Sequence, residues 1–563
     1  MEKIWLKSYE EGIPEFIDVT RYQSIIDVFQ KSVAQYGERV AFHNMGKDLT
    51  YNEVARLSKQ FASYLQNVLK LTRGERIAIM MPNILQYPIA LLGALQAGLV
   101  VVNTNPLYTP RELEHQLNDS GATAIVVLEN FANTLELVLA KTQIKHVIVA
   151  NIGEMFGVIK GNIMNFVLRK VKKMVPNYKL SGSVSFKSAL SQGAAHEFTP
   201  IELSREDLAF LQYTGGTTGI AKGAMLTHGN ICANMMQAYV WIKRCLKDGE
   251  EIVITALPLY HIFALTVNLF IFMQIGATSI LITNPRDLNG FIAELKKQPY
   301  TVFIGINTLF NGLLNKPEFT QLDFSKLKLT ASGGMATQQA VAERWVKVTG
   351  TPIIEAYGLT EASPGVCANP LSLDTYSGCI GLPISSTEIQ LRDGQGKEVG
   401  IGEAGELWVR GPQVMRGYWN HPKETAKVID QDGWLETGDI AVIDEKGWLK
   451  IVDRKKDLIL VSGFNVYPNE IEDVVAHHEK VQEVACVGVK SEKTGEALKL
   501  FVVKKDPTLT AEELIAYCRT KLTAYKVPRD IEFRDELPKS NVGKILRREL
   551  RDEAQNRQIN QTA

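Results

Sequence analysis

The stretch RIAIMMPNILQYPIALLGALQAGLVVVN, residues 76–103, divides into an apolar strand, a turn, a helix and a second apolar strand. We predict strands over residues 76–81 and 99–103, joined by a helix around residues 85–97. Continuous apolar runs of this length are typical of parallel strands that are buried on both faces. The stretch therefore predicts a core of parallel sheet covered by helices.

A membrane-spanning alternative has to be weighed, because residues 77–110 and 252–285 carry no Asp, Glu, Lys or Arg. A spanning helix needs about 20 uninterrupted, mostly apolar residues. Both runs are broken by prolines, glycines and asparagines, namely Pro82, Asn83, Pro88, Gly93 and Gly98 in the first and Pro258, Asn268, Gly276 and Asn284 in the second. Buried α/β core is the better interpretation of both.

Strand–helix alternation continues to about Tyr357 and then gives way to short strands with turns. Thr109 to Glu112 forms a predicted capping box for a helix that ends at Gly121, and strands are predicted over residues 124–128 and 146–150. After about residue 375 the alternation predicts a small antiparallel sheet or barrel. The charged cluster at residues 453–457 is the candidate boundary to an α+β domain, whose last stretch, residues 541–563, is polar and expected to fray.

Composition restricts the class of protein. The 563 residues suggest three or four folding units, and 62 Lys and Arg balance 62 Asp and Glu, which disfavours binding of nucleic acid over a broad surface. The six cysteines form no C-x-x-C pair, and the N-terminus has no apolar signal segment. We expect a reduced, cytoplasmic, enzyme-sized chain.

The sharpest motif is YTGGTTGIAKG, residues 213–223, directly after the apolar run at residues 208–211, which is predicted to be a strand. Its glycines free the backbone to direct successive N–H groups at one point, and its threonines and Lys222 complete a cradle for phosphate oxygens. It is not a Walker A loop, because Ala221 and Gly223 stand where that motif needs Gly and Ser or Thr. A flexible surface loop is the alternative.

This loop resembles the phosphate-binding loop of the adenylate-forming superfamily, and four further blocks follow in the family's order. They are YGLTE (357–361), GWLETGD (433–439), DRKKD (453–457) and PKSNVGK (538–544). Three segments resemble bacterial long-chain fatty-acid–CoA ligases in particular: NPLYTP (105–110), PLYHIF (258–263) and VSGFNVYPNE (461–470). Ala221 departs from the family's usual proline, which should leave the phosphate cradle intact.

The resemblance implies an α/β fold with a large and a small domain. The N-terminal AMP-binding domain would span residues 1–452, with two parallel α/β subdomains and a small β-barrel-like sheet at about residues 375–452. A smaller, mobile α+β domain would span residues 453–563. The hinge between them would be Asp453.

The implied reaction joins a carboxylate to the α-phosphorus of ATP, after which CoA displaces AMP. A fatty acid is already ionised at pH 7, so the first step needs positioning and charge stabilisation and no general base. By resemblance, Lys544, Glu361 and Thr214 are catalytic, and Thr214 and Glu361 hold Mg²⁺. The implied ATP-binding set is Tyr213, Thr214, Gly215, Gly216, Thr217, Thr218, Gly219, Lys222, Tyr357, Thr360, Asp439, Arg454 and Lys544.

The second step would follow rotation of the small domain about Asp453, with Gly463 and Phe464 on the path of CoA. His261 is a candidate base for the thiol, against the alternative of a packed core residue. The expected acyl-binding residues are Tyr260, His261, Leu265, Gly333, Gly334 and Gly358. Chain-length preference is not readable from one sequence.

Residues 156–174 repeat apolar side chains at helical spacing beside five lysines and arginines. A basic amphipathic helix is typical of contact with a membrane surface, and the alternative is a helix packed on the core. We expect long-chain fatty acid, ATP and CoA as partners, no nucleic acid, a peripheral contact with the inner face of the cytoplasmic membrane through this helix, and a homodimer.

Three other functions share parts of this pattern. A fatty acyl-AMP ligase that passes the acyl group to a carrier protein would share the first step. A luciferase-like oxygenase would share the same sites. A non-catalytic lipid-binding module would have no use for Lys544 or the phosphate loop.

Overall fold

The computed structural model describes residues 2–214, 221–461, 464–491, 494–540 and 543–562. Its strands form four sheets, and its helices cover the two largest. The larger N-terminal domain contains both of these mainly parallel sheets, and a smaller α+β domain follows. The predicted fold class is confirmed.

The first sheet has seven strands and contains both strands of the stretch at residues 76–103. Six of them are parallel, and the last pairs antiparallel with the strand before the phosphate motif. In spatial order the strands are Val184–Ser185, His146–Ala150, Ala124–Leu128, Arg76–Met80, Val100–Asn103, Leu208–Thr214 and Lys222–Thr227.

The second sheet has nine strands and begins with a hairpin from near the N-terminus. Its centre is parallel, and antiparallel pairs close both edges. In spatial order the strands are Leu382–Pro383, Gly365–Ala368, Ile353–Gly358, Leu329–Ser332, Val302–Gly305, Ile252–Thr255, Thr278–Leu281, Val40–Asn44 and Lys47–Thr50.

Two smaller sheets follow. A four-stranded antiparallel sheet runs in chain order through Glu388–Arg392, Gly405–Arg410, Leu435–Ile443 and Leu449–Arg454. The α+β domain has a five-stranded sheet of Phe464–Val466, Ile459–Val461, Gly495–Lys504, Val481–Ser491 and Asp530–Arg534.

The helices begin and end where local signals favour it. Thr109 accepts the Glu112 N–H while the Glu112 carboxylate accepts the Thr109 N–H, and Gly121 ends that helix at φ +61°. The α-helices are Ile25–Tyr36, Tyr51–Ser63, Gln86–Gln96, Pro110–Ser120, Ala132–Leu139, Val158–Phe166, Phe186–Ala194, His228–Ile242, Phe272–Gln274, Leu288–Leu295, Asn307–Leu314, Pro317–Thr320, Gln339–Thr349, Pro422–Val428, Pro468–Ala476, Ala511–Lys521 and Arg547–Thr562.

The polar C-terminal stretch is more ordered than its composition suggests. Residues 547–562 form a helix, and among its described side chains the buried apolar ones are Leu550 and Ala554, four positions apart. They pack with Val487 and Phe501 of the five-stranded sheet. These apolar contacts and the ion pairs of Arg547 and Arg551 dock the helix on the domain.

The carboxyl ends of several strands meet at one cavity. Leu208–Thr214 ends at the phosphate motif, Leu329–Ser332 ends before Gly333, and Ile353–Gly358 ends before the Glu361 segment. Ligands of open parallel sheets bind beyond the carboxyl ends of the strands. In the described residues, no helix is both long enough and apolar enough to cross a membrane.

Candidate active site

A single cavity of about 720 Å³ collects side chains from both large sheets, the four-stranded sheet and the C-terminal domain. Its charged and polar lining residues include Thr214, Lys222, Glu361, Asp439 and Lys544. Its apolar lining residues are a separate, larger group drawn mainly from residues 234–272 and 304–368. The cavity therefore offers both a polar and an apolar environment for one ligand or two.

Asp439 is the centre of the first polar group. Cross-strand register in the four-stranded sheet places Asp439 opposite Arg454, and their side chains form an ion pair with Nε and Oδ1 3.2 Å apart. The Tyr357 hydroxyl donates to Asp439 Oδ2 at 2.6 Å. Burial and the adjacent carboxylate raise the pKa of Tyr357 far above its ordinary value, so this hydroxyl stays protonated and donates.

Lys544 reaches the cavity from the C-terminal domain. The segment that carries it is closed by a bond from the Ser540 N–H to the Lys544 carbonyl at 2.7 Å. Gly543 has φ +77°, and a Cβ there would lie 2.6 Å from Thr308 Oγ1, so the segment lies directly against the N-terminal domain. Burial, and then the Arg454 charge, lower the pKa of Lys544 to about 7, although Asp439 acts in the opposite direction.

A second polar group surrounds the end of the phosphate motif. Thr214 and Lys222 are paired across antiparallel strands. The Lys222 ammonium lies 2.8 Å from Glu424 Oε2 and 5.0 Å from the centre of the Tyr418 ring. The Tyr418 hydroxyl donates to Glu361 Oε1 at 2.7 Å. These contacts hold one carboxylate and one ammonium at the same wall of the cavity.

The oxygen donors around Glu361 have the chemistry of a magnesium site. Magnesium favours a site with one or two carboxylates, completed by hydroxyl, phosphate and water oxygens. Glu361 and the Thr214 hydroxyl supply the protein ligands of such a site, and both residues line the cavity. Among the described residues no cluster of three or more His, Cys, Asp or Glu forms a separate metal cage. The residues fit a magnesium ion that arrives with substrate phosphates.

His261 also lines the cavity. Its Nδ1 accepts the Phe263 N–H at 3.3 Å. Burial, and then the nearby Lys544 charge, lower the pKa of His261 to about 4. The imidazole is therefore neutral at pH 7 and a weak base in this arrangement.

The apolar part of the cavity lies between helix His228–Ile242 and the segment that follows His261. Gly333 and Gly358 bring backbone to its wall: a Cβ at Gly333 would lie 2.9 Å from the Phe263 ring, and one at Gly358 would lie 2.1 Å from the Pro364 carbonyl. The helix and the segment contribute Ala238, Trp241, Ile242, Val267, Ile271 and Phe272. This volume suits a hydrocarbon chain.

Family models match most of the chain. The model for the AMP-binding enzyme matches residues 29–419, and the model for the AMP-binding enzyme C-terminal domain matches residues 470–544. The chain belongs to the AMP-binding enzyme family. The resemblance stated from the sequence motifs is thereby confirmed.

Relatives of this AMP-binding enzyme span its full length. A long-chain-fatty-acid–CoA ligase of Escherichia coli O157:H7 is 59% identical over 554 residues, which cover 98% of this chain and 99% of that protein. A long-chain-fatty-acid–CoA ligase of Bacillus subtilis (strain 168) is 38% identical and covers 98% of each chain. A feruloyl-CoA synthase of an Amycolatopsis species is 31% identical and covers 91% of this chain and 95% of its own.

Solved structures show the same architecture. An anthranilate–CoA ligase in complex with anthranoyl-AMP matches with a TM-score of 0.84 at 25% identity, covering 96% of this chain and 99% of that one. A benzoate–CoA ligase from Burkholderia xenovorans LB400 matches with a TM-score of 0.80 at 26% identity, covering 94% and 100%.

Most of the residues singled out from the sequence of this AMP-binding enzyme meet in the one cavity. They are Thr214, Lys222, His261, Gly333, Gly334, Tyr357, Gly358, Thr360, Glu361, Asp439, Arg454 and Lys544. Gly215, Gly216, Thr217, Thr218, Gly219 and Gly463 lie outside the described residues.

Apart from the predicted hinge residue Asp453, four other described residues singled out from the sequence are not among the lining residues of the cavity. Leu265 packs fully buried in the main core, and Tyr260 contributes its carbonyl to Gln212 Nε2 at 2.7 Å. Tyr213 donates its hydroxyl to Asp119 Oδ2 at 2.6 Å. Phe464 is exposed on the C-terminal domain and stacks on Tyr525 with ring centres 5.0 Å apart.

Some residues at the cavity were missed by reasoning from sequence. Tyr418 and Glu424, which contact Glu361 and Lys222, are the main ones. Helix Pro422–Val428 had a usable signal, because proline at its first position and an acid in its first turn mark a helix start. Trp241 and Ala238 had no signal, since an apolar helix gives no indication of which face meets a cavity.

Proposed function

We propose that this enzyme is a long-chain fatty-acid–CoA ligase, which converts a fatty acid, ATP and CoA to acyl-CoA, AMP and diphosphate through an acyl-adenylate. The observation that carries the proposal is one cavity that holds the Asp439, Glu361 and Lys544 groups together with an apolar volume. The names of its full-length relatives support the same substrate class. The product would supply fatty-acid degradation and lipid metabolism.

In the adenylation step the chain's own residues bind and orient two anions. Asp439 accepts the ribose hydroxyls, Tyr357 packs against adenine, and Lys222 and Thr214 contact the outer phosphates. Lys544 bridges the fatty-acid carboxylate and the α-phosphate, where negative charge builds up in the transition state. Glu361 and the Thr214 hydroxyl would hold magnesium, which would supply positive charge toward the phosphate oxygens and the leaving diphosphate.

In the thioester step the C-terminal domain turns about Asp453, with the two domains spanning residues 1–452 and 453–563. Lys544 leaves the cavity, and the segment of Gly463 and Phe464 takes its place beside the CoA thiol. His261 lies at the cavity as a neutral imidazole and is the candidate acceptor of the thiol proton, although burial, the Lys544 charge and the Phe263 N–H bound to its Nδ1 make it a weak base in this arrangement. Movement of Lys544 away from His261 would remove the second of the two causes that lower the imidazole pKa, the first being burial.

The acyl chain would occupy the apolar part of the cavity. His261, Gly333, Gly334 and Gly358 lie along it, and the side chains from helix His228–Ile242 close it. Tyr260 and Leu265 would contribute from behind this wall, by supporting its shape. A saturated chain needs no polar partner, which agrees with the apolar lining.

A membrane contact through residues 156–174 is a further part of the proposal. Ile159, Ile163 and Phe166 on helix Val158–Phe166 are 78%, 60% and 61% exposed. No Asp or Glu occurs between residues 155 and 196, whereas seven Lys and Arg do. An exposed apolar face beside a surplus of positive charge, of which Arg169 is paired with Glu129, suits the surface of an anionic bilayer. The enzyme would then be cytoplasmic and bound at the inner face of the cytoplasmic membrane. That it forms a homodimer stays a prediction.

The test of the proposed function is product analysis with and without CoA. Oleate, ATP and magnesium should give oleoyl-AMP and diphosphate, and added CoA should convert the bound adenylate to oleoyl-CoA. An enzyme that forms oleoyl-AMP but no thioester with CoA would instead be an acyl-AMP ligase serving a carrier protein. Absence of both products would reject the proposal.

A further inference from the structure

Arg547 lies three residues after Lys544, at the start of the last helix. Its side chain is only 16% exposed. Its guanidinium forms two parallel bonds to the Glu472 carboxylate, one of them from Nε to Oε1 at 2.8 Å, and a further bond to Asn469 Oδ1. Paired bonds from arginine to a carboxylate fix orientation as well as distance.

The same guanidinium contacts the candidate hinge. Arg547 Nη1 lies 3.5 Å from Asp453 Oδ1 and 3.7 Å from Asp457 Oδ2. Asp453 is fully buried, and its second oxygen accepts the Asn469 N–H at 2.8 Å. Arg547 therefore joins the helix Pro468–Ala476, the hinge segment and the segment that carries Lys544.

Of these contacts, the one with Asp453 depends on the orientation of the C-terminal domain, whereas those with Asn469 and Glu472 lie within that domain. Asp453 lies in strand Leu449–Arg454 of the four-stranded sheet, whereas Asn469, Glu472 and Arg547 move with the C-terminal domain. A rotation of the backbone at Asp453 changes the direction of its side chain relative to Arg547. The Arg547–Asp453 contact thus belongs to the state in which Lys544 lies in the cavity.

We propose that Arg547 is a positioning residue for the adenylation step, because it anchors the Lys544 segment to the hinge carboxylate of Asp453. Arg547 does not line the cavity and touches no reacting atom. It acts through Lys544 and through the domain orientation. The inference rests on the proposed function, in which Lys544 serves adenylation and the hinge turns at Asp453.

The test uses the full-length enzyme and separates the two half-reactions. Adenylation is measured as oleoyl-AMP and diphosphate formed from oleate and ATP without CoA, and thioester formation as oleoyl-CoA formed from supplied oleoyl-AMP and CoA. Arg547→Met should lower the adenylation rate by about tenfold or more while thioester formation stays within about threefold. Arg547→Lys keeps the charge but loses the two parallel bonds of the guanidinium, and it should give an intermediate loss of adenylation only.

Arg548 offers a matched control one residue further along. Its side chain is 64% exposed and pairs only loosely with Asp552, at 3.6 Å. Arg548→Met removes the same charge from the same helix and should leave both half-reactions unchanged. A retained thioester rate in the Arg547 variants also shows that they are folded.

A double variant tests whether Arg547 acts through Lys544. When Lys544→Ala has already removed the ammonium, adding Arg547→Met should reduce adenylation little further, since both changes remove one function. Multiplied losses in the double variant, or equal losses of both half-reactions in Arg547→Met and Arg547→Lys, would overturn the inference. Absence of adenylation by the unaltered enzyme would instead reject the proposed function.

Discussion

The Tyr357 hydroxyl donates a 2.6 Å hydrogen bond to Asp439 Oδ2, while Arg454 pairs with Oδ1 of the same carboxylate at 3.2 Å. Both oxygens of Asp439 are therefore oriented before any nucleotide binds. The bond joins the YGLTE and GWLETGD motifs, which lie on different sheets. We expect Tyr357 to act on the ribose contact through Asp439 as well as on adenine through its ring.

Removal of that bond should weaken ATP binding. Tyr357→Phe keeps the ring against adenine but frees Asp439 Oδ2, and a hydrogen bond to a charged group contributes about 1.5 kcal/mol or more. We expect KM for ATP to rise about tenfold and KM for oleate to stay unchanged. An unchanged KM for ATP would contradict the orienting role of the tyrosine.

Lys544→Ala should separate the two half-reactions. Loss of a positive group that contacts the transition-state charge lowers a rate by about 10²–10³-fold. Formation of oleoyl-AMP should fall by that factor, whereas conversion of supplied oleoyl-AMP to oleoyl-CoA should remain close to normal. Equal loss of both steps would be inconsistent with a lysine that leaves the cavity before CoA attacks.

The low pKa of Lys544 predicts proton uptake on ATP binding. With a pKa of about 7 the free amine is mostly neutral at pH 8, and the triphosphate charge favours its ammonium form. ATP binding at pH 8 should take up about one proton, so the affinity for ATP should fall as pH rises from 7 to 9. Calorimetry in buffers of different ionisation enthalpy measures the uptake, and Lys544→Met should abolish it.

Filling the apolar part of the cavity should shorten the preferred acyl chain. Ala238 lines the cavity one turn from Asn234 and Ile242 on helix His228–Ile242. Ala238→Phe should lower kcat/KM by about fourfold for each acyl methylene that can no longer bind in the cavity, since burial of one methylene contributes about 0.8 kcal/mol. Retained activity on octanoate serves as the folding control, and an unshifted chain-length profile would place the acyl chain elsewhere.

The membrane contact is tested with vesicles. Replacing Lys170, Lys172 and Lys173 with Gln should weaken binding to vesicles that contain phosphatidylglycerol, since each lysine near an anionic surface contributes about 1 kcal/mol. The matched control replaces three exposed lysines elsewhere, Lys296, Lys297 and Lys326. Equal binding of both triple variants would reject the site at residues 156–174.

Much of the fold was predictable because local signals agreed with the tertiary structure. The strand expected over residues 208–211 spans Leu208–Thr214, and the capping box at Thr109 begins the helix that it predicted. Continuous apolar runs predicted the two parallel sheets, since both faces of their strands are buried. Helix Arg547–Thr562 was missed, because three apolar residues among sixteen give almost no periodic signal.

The candidate site was predictable only where residues stand in family motifs. Asp439, Glu361 and Lys544 could be named in advance, yet their partners could not. Tyr418 and Arg547 act through contacts with residues more than 50 positions away, and a single sequence does not specify such pairs. Leu265 was predicted to bind the acyl chain but packs in the core, because an apolar residue beside a motif can belong to either environment.

A single-turnover experiment tests the proposed chemistry most directly. Enzyme in excess over labelled oleate is mixed with ATP and magnesium, quenched, and then in a second reaction chased with CoA. We predict oleoyl-AMP and diphosphate in equal amounts before CoA, and complete transfer of the label to oleoyl-CoA with release of AMP afterwards. Label that stays on free oleate, or that reaches CoA without passing through oleoyl-AMP, would contradict the two-step reaction.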